Sequence, residues 1–380
     1  MTSKYLANHL RFSLSLASRN YRAFSTVQKC YENQDIVTDC SHSLQHFEQI
    51  FETDSIKYSF GYGLGVFPQA GYDTAKTKPQ IDVVHVVDDA TRFHEYNTKQ
   101  FPKHYSFLRQ LGVSSIVKVQ EFGAGVYYNP YVSIEDDQGV ESMIKYGIVT
   151  EDVLFKDLTE WSTFYLAGRL QKPVRHIFGS DNRLKEANDY NLQSAFNLLL
   201  VLLALGKKRD LTVSHLFEKI ALLSYMGDPR MLVGGENPNK VKNIVMRQMP
   251  YFEQLYAPAK ELALSRGYAT FDKDTLVPSK DIRVISGILS ELPLQFRARL
   301  ARSYQRKYSL QCGKDQPCEG GSDFLDAISG DNYLRRTLLT TILATTAYPA
   351  LVQSLKGILT AGIVKSTRYA WEKKMKSFKK

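Results

Sequence analysis

Between residues 40 and 56 the apolar positions Leu44, Phe47, Ile50, Phe51 and Ile56 recur at helical spacing and predict an amphipathic helix. The period then changes. Phe60-Gly61-Tyr62-Gly63-Leu64-Gly65-Val66-Phe67 is rich in glycine and reads as a turn. After a polar stretch at 70–79, the run Ile81-Asp82-Val83-Val84-His85-Val86-Val87 predicts a strand closed by Asp88-Asp89. Helices are expected around 90–97 and 104–111. Runs of β-branched and aromatic residues predict strands near 116–121, 125–128 and 144–149. A helix, a glycine turn, a strand, then helices and further strands describe a first domain of α/β or α+β class.

Beyond residue 150 the pattern is mostly helical. Helices are predicted over 151–167, ending near Gly168, over 184–205 and over 212–225. The uncharged run 191–206 is short for a membrane span and reads as a buried core helix. Residues 229–310 read as a small helical second domain with one or two short strands, such as 231–233. Residues 312–332 are rich in Gly, Asp and Ser and read as a linker. Residues 337–355 carry no charge, but five threonines, Gln353 and Pro349 argue for a segment lying at an interface rather than crossing it.

Charge changes the picture. The 380 residues carry a formal net charge of +10, which taken alone points to nucleic acid. Its distribution does not. Residues 1–31 hold Lys4, Arg11, Arg19, Arg22 and Lys29 and no acid, or +5. Residues 356–380 hold eight cations against Glu372 alone, or +7, which leaves −2 for the body. A groove that tracks a nucleic-acid strand needs a basic stripe, so a nucleic-acid partner is not expected. The acid-free, Ser-rich N-terminus interleaves Arg with Leu, Tyr and Phe and has the composition of a mitochondrial transit peptide. Trp371, Met375 and Phe378 fall on one helical face among the terminal lysines, which describes an interfacial helix on an anionic lipid surface. Cys30, Cys40, Cys312 and Cys318 form no metal-binding pattern and read as free thiols.

The glycine turn and the strand after it carry the candidate chemistry. Backbone amides of a turn stripped of side chains approach phosphate oxygens, and Asp82 on the adjacent strand is placed to hold Mg²⁺. No G-K-[S/T] follows, so a P-loop is excluded. A dinucleotide fingerprint is a poor match, since no strand is expected closely before the glycines and no helix after them. Asp88 shares the face of Asp82 but lies about 20 Å away along an extended strand, so a second ligand must come from elsewhere. Asp88 and Asp89 read as caps of the following helix.

These residues, with several further motifs, resemble the mitochondrial phosphatidate cytidylyltransferase family, the peripheral CDP-diacylglycerol synthases. The resemblance rests on Phe60-Gly61-Tyr62-Gly63-x-Gly65-Val66-Phe67-x-Gln69-Ala70-Gly71, Ile81-Asp82 with Val87-Asp88-Asp89, and His104-Tyr105-Ser106-Phe107-Leu108. It continues through Gly123-Ala124-Gly125-Val126-Tyr127-Tyr128-Asn129, Ile144-Lys145-Tyr146-Gly147 and Ala167-Gly168-Arg169-Leu170-Gln171-Lys172-Pro173-Val174. Leu223-Ser224-Tyr225-x-Gly227-Asp228-x-Arg230-Met231, Lys242-Asn243-Ile244-Val245 and Lys356-Gly357-Ile358-Leu359-Thr360-Ala361-Gly362 complete it, from about residue 44 to the C-terminus.

The resemblance implies an α+β chain. A nucleotidyltransferase-like domain (32–210) follows the transit segment (1–31). A winged-helix-like helical domain (211–311), a linker with an apolar segment (312–355) and a basic amphipathic membrane-binding tail (356–380) come after it. It implies transfer of a cytidylyl group from CTP to phosphatidic acid with Mg²⁺, on the matrix side of the inner membrane, for cardiolipin and phosphatidylglycerol synthesis. Asp82 is the expected metal ligand, with Asp228 second. Lys145, Arg169 and Lys172 are expected to act on the reacting phosphates. Gly61, Gly63, Leu64, Gly65, Arg230, Lys242 and Asn243 are expected around the nucleotide. For each cation the alternative is a surface salt bridge, and for His104 and Tyr105 a core or capping role ranks ahead of a substrate role. The chain departs from the family pattern at Leu64, where a Ser is usual. Two other readings stand beside the lipid one: a nucleotidyltransferase acting on nucleic acid, disfavoured by the −2 body, and a non-catalytic factor for inner-membrane protein import.

Overall fold

The computed structural model describes residues 31–36, 50–51, 54–67, 79–135, 141–179, 181–207, 211–229, 239–272, 274–308 and 322–378, with the backbone alone at 307–308, 322–323 and 361–378. The expected transit segment (apart from Tyr31), most of the helix expected over 40–56, the four cysteines, the strand expected at 231–233 and Arg230 lie outside the described residues; at the end of that helix, residues 54–55 bend and Ile56 opens a strand.

A five-stranded mixed sheet organises the first half of the chain. Its strands are β1 (Ile56–Tyr62), β2 (Ile81–Val87), β3 (Tyr127–Glu135), β4 (Glu141–Thr150) and β5 (Arg175–Phe178), in the order β3-β4-β2-β1-β5. Only β2 and β4 run parallel; the other neighbours are antiparallel. The strand expected at 81–87 is found there. β1 runs directly into the glycine turn, where no strand was expected, because Phe60-Gly61-Tyr62 pairs with Asp82–Val84 of β2 instead of turning.

Both faces of the sheet are covered, which is why β2 reads as a nearly continuous apolar run. On one face Ile81, Val83, Val87, Ile144, Tyr146 and Ile148 pack with Phe93, Leu108 and Ile116. These come from α1 (Ala90–Gln100), a 3₁₀ turn at Phe107–Leu111 and α2 (Val113–Glu121). On the other, Tyr58, Phe60, Tyr62, Val84, Val86, Tyr128 and Val149 meet Leu154, Leu158, Leu170 and Leu184. Those belong to α3 (Glu151–Glu160), α4 (Ala167–Leu170) and α5 (Asn182–Ala204). Side chains alternate along a strand, so Asp82, Tyr62 and Lys145 share this second face with Val84, Phe60 and Val149.

Three elements differ from expectation. The strand expected at 116–121 is helix α2: Ile116 and Gln120, four apart, are both buried, and β-branched content does not override that helical face. The helix expected at 104–111 is two 3₁₀ turns, Pro102–His104 and Phe107–Leu111. The helix expected over 151–167 stops at Glu160, where Trp161 takes a left-handed conformation with φ 53°. The cause is Asp157. Its buried carboxylate accepts the amides of Thr163 (2.7 Å), Phe164 (2.8 Å), Leu166 (2.9 Å) and Ala167 (3.0 Å), which bends the chain into α4.

The second half is helical around a small antiparallel sheet. Helices α6 (Val213–Leu223), α7 (Lys240–Ser265), α8 (Ile282–Glu291) and α9 (Leu294–Tyr308) accompany β6 (Leu211–Thr212), β7 (Ala269–Asp272) and β8 (Thr275–Pro278), ordered β6-β8-β7. Within the expected linker, Ser322–Ser329 is helical (α10), since Leu325 and Ile328 bury against the body. The chain closes with α11 (Leu334–Phe378). The fold is mixed α+β, and residues Asn33–Lys380 form one unit.

Candidate functional site

The glycine turn lies against the start of β2. Gly63 has φ +81°, a left-handed conformation that side chains rarely adopt, and a Cβ there would stand 3.2 Å from Asp82 Oδ2. At Gly65 a Cβ would meet the Gln80 carbonyl oxygen at 2.6 Å and Ile81 Cα at 2.8 Å, so no larger residue lets the turn pass. The Gly63 carbonyl accepts from Val66 (3.1 Å) and Phe67 (2.9 Å), closing the turn. Among the described residues no backbone acceptor takes the amides of Leu64 or Gly65. The Leu64 side chain is half-buried.

Strand register then assembles the polar groups. Asp82 is paired with Tyr62 on one side and Lys145 on the other. Lys145 Nζ stands 3.8 Å from Asp82 Oδ1 and 4.1 Å from the centre of the Tyr128 ring. The Tyr128 and Tyr62 hydroxyls are 3.3 Å apart. Burial raises both phenols, so each stays neutral. The Arg169 guanidinium lies over the Tyr62 ring at 4.0 Å. Two cations are thus held on two adjoining aromatic faces, with a half-buried carboxylate on the strand between Tyr62 and Lys145.

Arg169 is delivered by α4 and joins this cluster to a second one. A small cavity, open to solvent, is lined by Arg169, Lys172, Tyr165, Ser224, Tyr225 and Asp228, among others. Lys172 is buried and its Nζ donates to the Gly168 carbonyl and to Ser224 Oγ, the latter at 2.7 Å. Burial, then the neighbouring Arg169 and Lys240, pushes the Lys172 ammonium well below the usual lysine range. Lys172 and Lys240 each stand 5.2 Å from the Tyr225 ring. Lys242 and Asn243 lie on the same first turn of α7 as Lys240, exposed and half-buried respectively.

The structure therefore brings Gly61, Gly63, Leu64, Gly65, Asp82 and Lys145 together, with Arg169 beside them. Lys172 and Asp228 occupy the adjoining cavity, whose lining does not include Asp82. Asp89 caps α1, accepting from Thr91 and Arg92, whereas Asp88 pairs with Lys57 at 2.9 Å. Tyr105 is buried in a hydrogen-bond network with His94 and Asn97, and His104 reaches the Tyr146 hydroxyl at 2.9 Å. Tyr105 is thus a core residue, and His104 is half-buried against Phe101 and Tyr146.

Among the described residues no three His, Cys, Asp or Glu side chains converge. An all-protein cage is therefore not what these residues offer. Mg²⁺ commonly uses one or two carboxylates and completes its shell with substrate phosphates and water, and Asp82 fits that requirement.

Comparison with known proteins decides the family. A family model described as mitochondrial phosphatidate cytidylyltransferase matches residues 44–376. The chain belongs to this family. It is 34% identical to the mitochondrial phosphatidate cytidylyltransferase of Saccharomyces cerevisiae, over 85% of this chain and 68% of the relative. The Schizosaccharomyces pombe protein of the same name is 34% identical over 96% and 94%, and that of Drosophila melanogaster 37% identical over 86% and 96%.

Three residues of the site were not singled out in the sequence. Tyr62 falls there within the glycine turn and Tyr128 within an expected strand, each only as part of a longer motif, and Asp157 lies within an expected helix. Only the tertiary placement of Arg169, Lys145 and the 163–167 amides reveals their work.

Proposed function

We propose that the chain transfers the cytidylyl group of CTP to phosphatidic acid, forming CDP-diacylglycerol and pyrophosphate in the mitochondrion. The observation that carries this reading is the convergence of Asp82, Lys145 and Arg169 on the glycine turn, in a member of this family. A nucleotidyltransferase-like role for the first sheet and a winged-helix-like role for the α6–β8 region accord with it.

The phosphate monoester oxygen of phosphatidate attacks the α-phosphorus of CTP. One P–O bond forms, and the bond from that phosphorus to the bridging oxygen of the leaving pyrophosphate breaks. The nucleophile is already anionic near neutral pH, so no strong general base is required. The protein's task is to hold two anionic reactants in line. The amides of Leu64 and Gly65 face phosphate oxygens, Lys145 and Arg169 offset the charge of the reacting group, and Lys172 binds a phosphate in the adjoining cavity. Asp82 would hold Mg²⁺, which when bound neutralises the triphosphate and the departing pyrophosphate. Asp228 serves the nucleotide from the cavity side, Lys242 and Asn243 from the first turn of α7, and Arg230 is assigned to the same nucleotide.

The chain acts peripherally on the matrix face of the inner membrane, supplying cardiolipin and phosphatidylglycerol synthesis. The basic helical end of α11 is its attachment. Lys356, however, is not a tail cation: it is buried and donates to the carbonyls of Gln120 (2.9 Å) and Phe122 (2.8 Å). The tail's charge therefore begins at Lys365, with seven cations and Glu372. By length and composition Leu334–Thr360 would also suffice to cross a membrane, but 39% of its most apolar window is buried in the body. That burial and its five threonines favour an interfacial position. CTP labelled at the α-phosphorus, incubated with phosphatidate vesicles and Mg²⁺, should place label in the lipid phase. Label confined to the aqueous phase refutes the transfer.

A further inference from the structure

Three large apolar side chains stand out of the body. Phe107 is 54% exposed, Leu111 60% and Phe122 63%. They lie on the 3₁₀ turn Phe107–Leu111 and at the C-cap of α2, which pack on each other and on α11. On α11, Leu351, Leu355 and Leu359 recur every four residues and are 48%, 56% and 45% exposed. The two groups adjoin. Val352 and Lys356 flank that stripe; the former would touch a Cβ placed at Gly123 at 2.7 Å, and the latter bonds the Phe122 carbonyl.

Six exposed large apolar residues at one junction exceed the scattered exposure usual on a soluble surface. Their surroundings indicate what covers them. Arg109 is exposed on the same turn, Lys118 on α2 and Lys103 on the preceding turn Pro102–His104, with Glu121 as the nearby acid. α11 continues from the stripe into the seven-cation segment. Apolar residues ringed by cations and continuous with a basic helix match an anionic bilayer surface.

We infer that Phe107, Leu111 and Phe122 form a second lipid-inserting wedge, which acts with the Leu351–Leu359 stripe to seat the body on an anionic membrane. This rests on the proposed peripheral attachment and adds a contact independent of residues 361–380. The wedge enters about 5–10 Å into the headgroup boundary, and Lys356 fixes its angle to α11 by bonding the Gln120–Phe122 corner. Two contacts on one rigid body fix its orientation as well as its attachment.

The test uses the full chain and phosphatidylcholine vesicles with and without phosphatidylglycerol. The combined change Phe107→Ser, Leu111→Gln and Phe122→Ser should reduce flotation with anionic vesicles by at least about tenfold. Its thermal midpoint and oligomeric state should match the parent's. Independently, Phe122→Trp in a Trp371→Phe background should be quenched by lipids brominated near the headgroup, whereas Val277→Trp in the second sheet should not. Unquenched fluorescence from Phe122→Trp overturns the inference even where the combined variant folds poorly. So does unchanged flotation of a folded combined variant. If deletion of 361–380 abolishes flotation while the combined change does not, the peripheral attachment stands and the wedge fails. A parent dimer that the combined change dissociates assigns the patch to a second copy and also overturns it.

Discussion

The Arg169 guanidinium lies 4.0 Å above the Tyr62 ring, and that contact joins the sheet cluster to the cavity of Lys172. Arg169 comes from a four-residue helix whose entry is set by Asp157. Tyr62 comes from the last position of β1, opposite Asp82. The position of the cation relative to the carboxylate is therefore fixed by two rigid elements and one stacked contact.

Tyr62 should act as a platform. Tyr62→Phe keeps the ring face and should retain most activity, while Tyr62→Leu should lower kcat/KM by roughly 3- to 30-fold, the worth of a partly desolvated cation–π contact. Arg169→Ala should cost about 10²–10³ in kcat, as loss of a charge-stabilising donor does. Steady-state kinetics on phosphatidate vesicles check all three. Equal losses for Tyr62→Phe and Tyr62→Leu contradict the platform.

Lys172 predicts a pH dependence. Its folded-state pKa is depressed by burial and by its neighbours Arg169 and Lys240, so it loses its proton below the ordinary lysine value of about 10.4. A phosphate held by Lys172 is then bound less tightly as pH rises, and KM should climb on the alkaline side. Lys172→Arg keeps its charge and should move that rise to higher pH. A KM profile unchanged by Lys172→Arg removes the residue from substrate binding.

Sequence made β2 legible because seven mostly β-branched residues lie between turn-forming flanks, and buried α5 because its apolar run is long. It misread α2, since Ile116, Val117 and Val119 carry strand propensity and the deciding signal is which of their neighbours bury. Asp82 stood out as a lone acid in an apolar strand. Tyr62 and Tyr128 did not: Tyr62 lies in a segment that reads as a glycine turn, and an aromatic in a strand, as Tyr128 is, is ordinarily core. Lys356 was counted with the tail. Its burial depends on carbonyls 236 and 234 positions earlier, a relationship no local pattern encodes.

Lys356 also links stability to pH. Burial pushes its folded-state pKa down to about 7, against about 10.4 in the unfolded chain. Between those values the unfolded chain binds more protons, so this group makes stability rise with pH from about 7 toward 10. Lys356→Met should lower stability overall and flatten that rise. Urea midpoints measured across the window check it. An unchanged slope contradicts the assignment.

Leu64 occupies the turn position where the resemblance to the family leads one to expect Ser. Its amide remains available, but its side chain offers phosphate no hydrogen bond. Leu64→Ser should raise turnover by about five- to tenfold, the worth of one added hydrogen bond. Turnover at the parental level means that the amides suffice.

The central claim is that Asp82, at the glycine turn between Tyr62 and Lys145, serves cytidylyl transfer to a lipid phosphate. The most direct measurement compares the parent with Asp82→Asn, using α-labelled CTP, phosphatidate vesicles and a titration of Mg²⁺. The account predicts labelled CDP-diacylglycerol from the parent. Asp82→Asn, with an unchanged melting temperature, should lose at least about 10² of that rate at every Mg²⁺ concentration. Equal rates from the two proteins, or no labelled lipid from the parent, would contradict it.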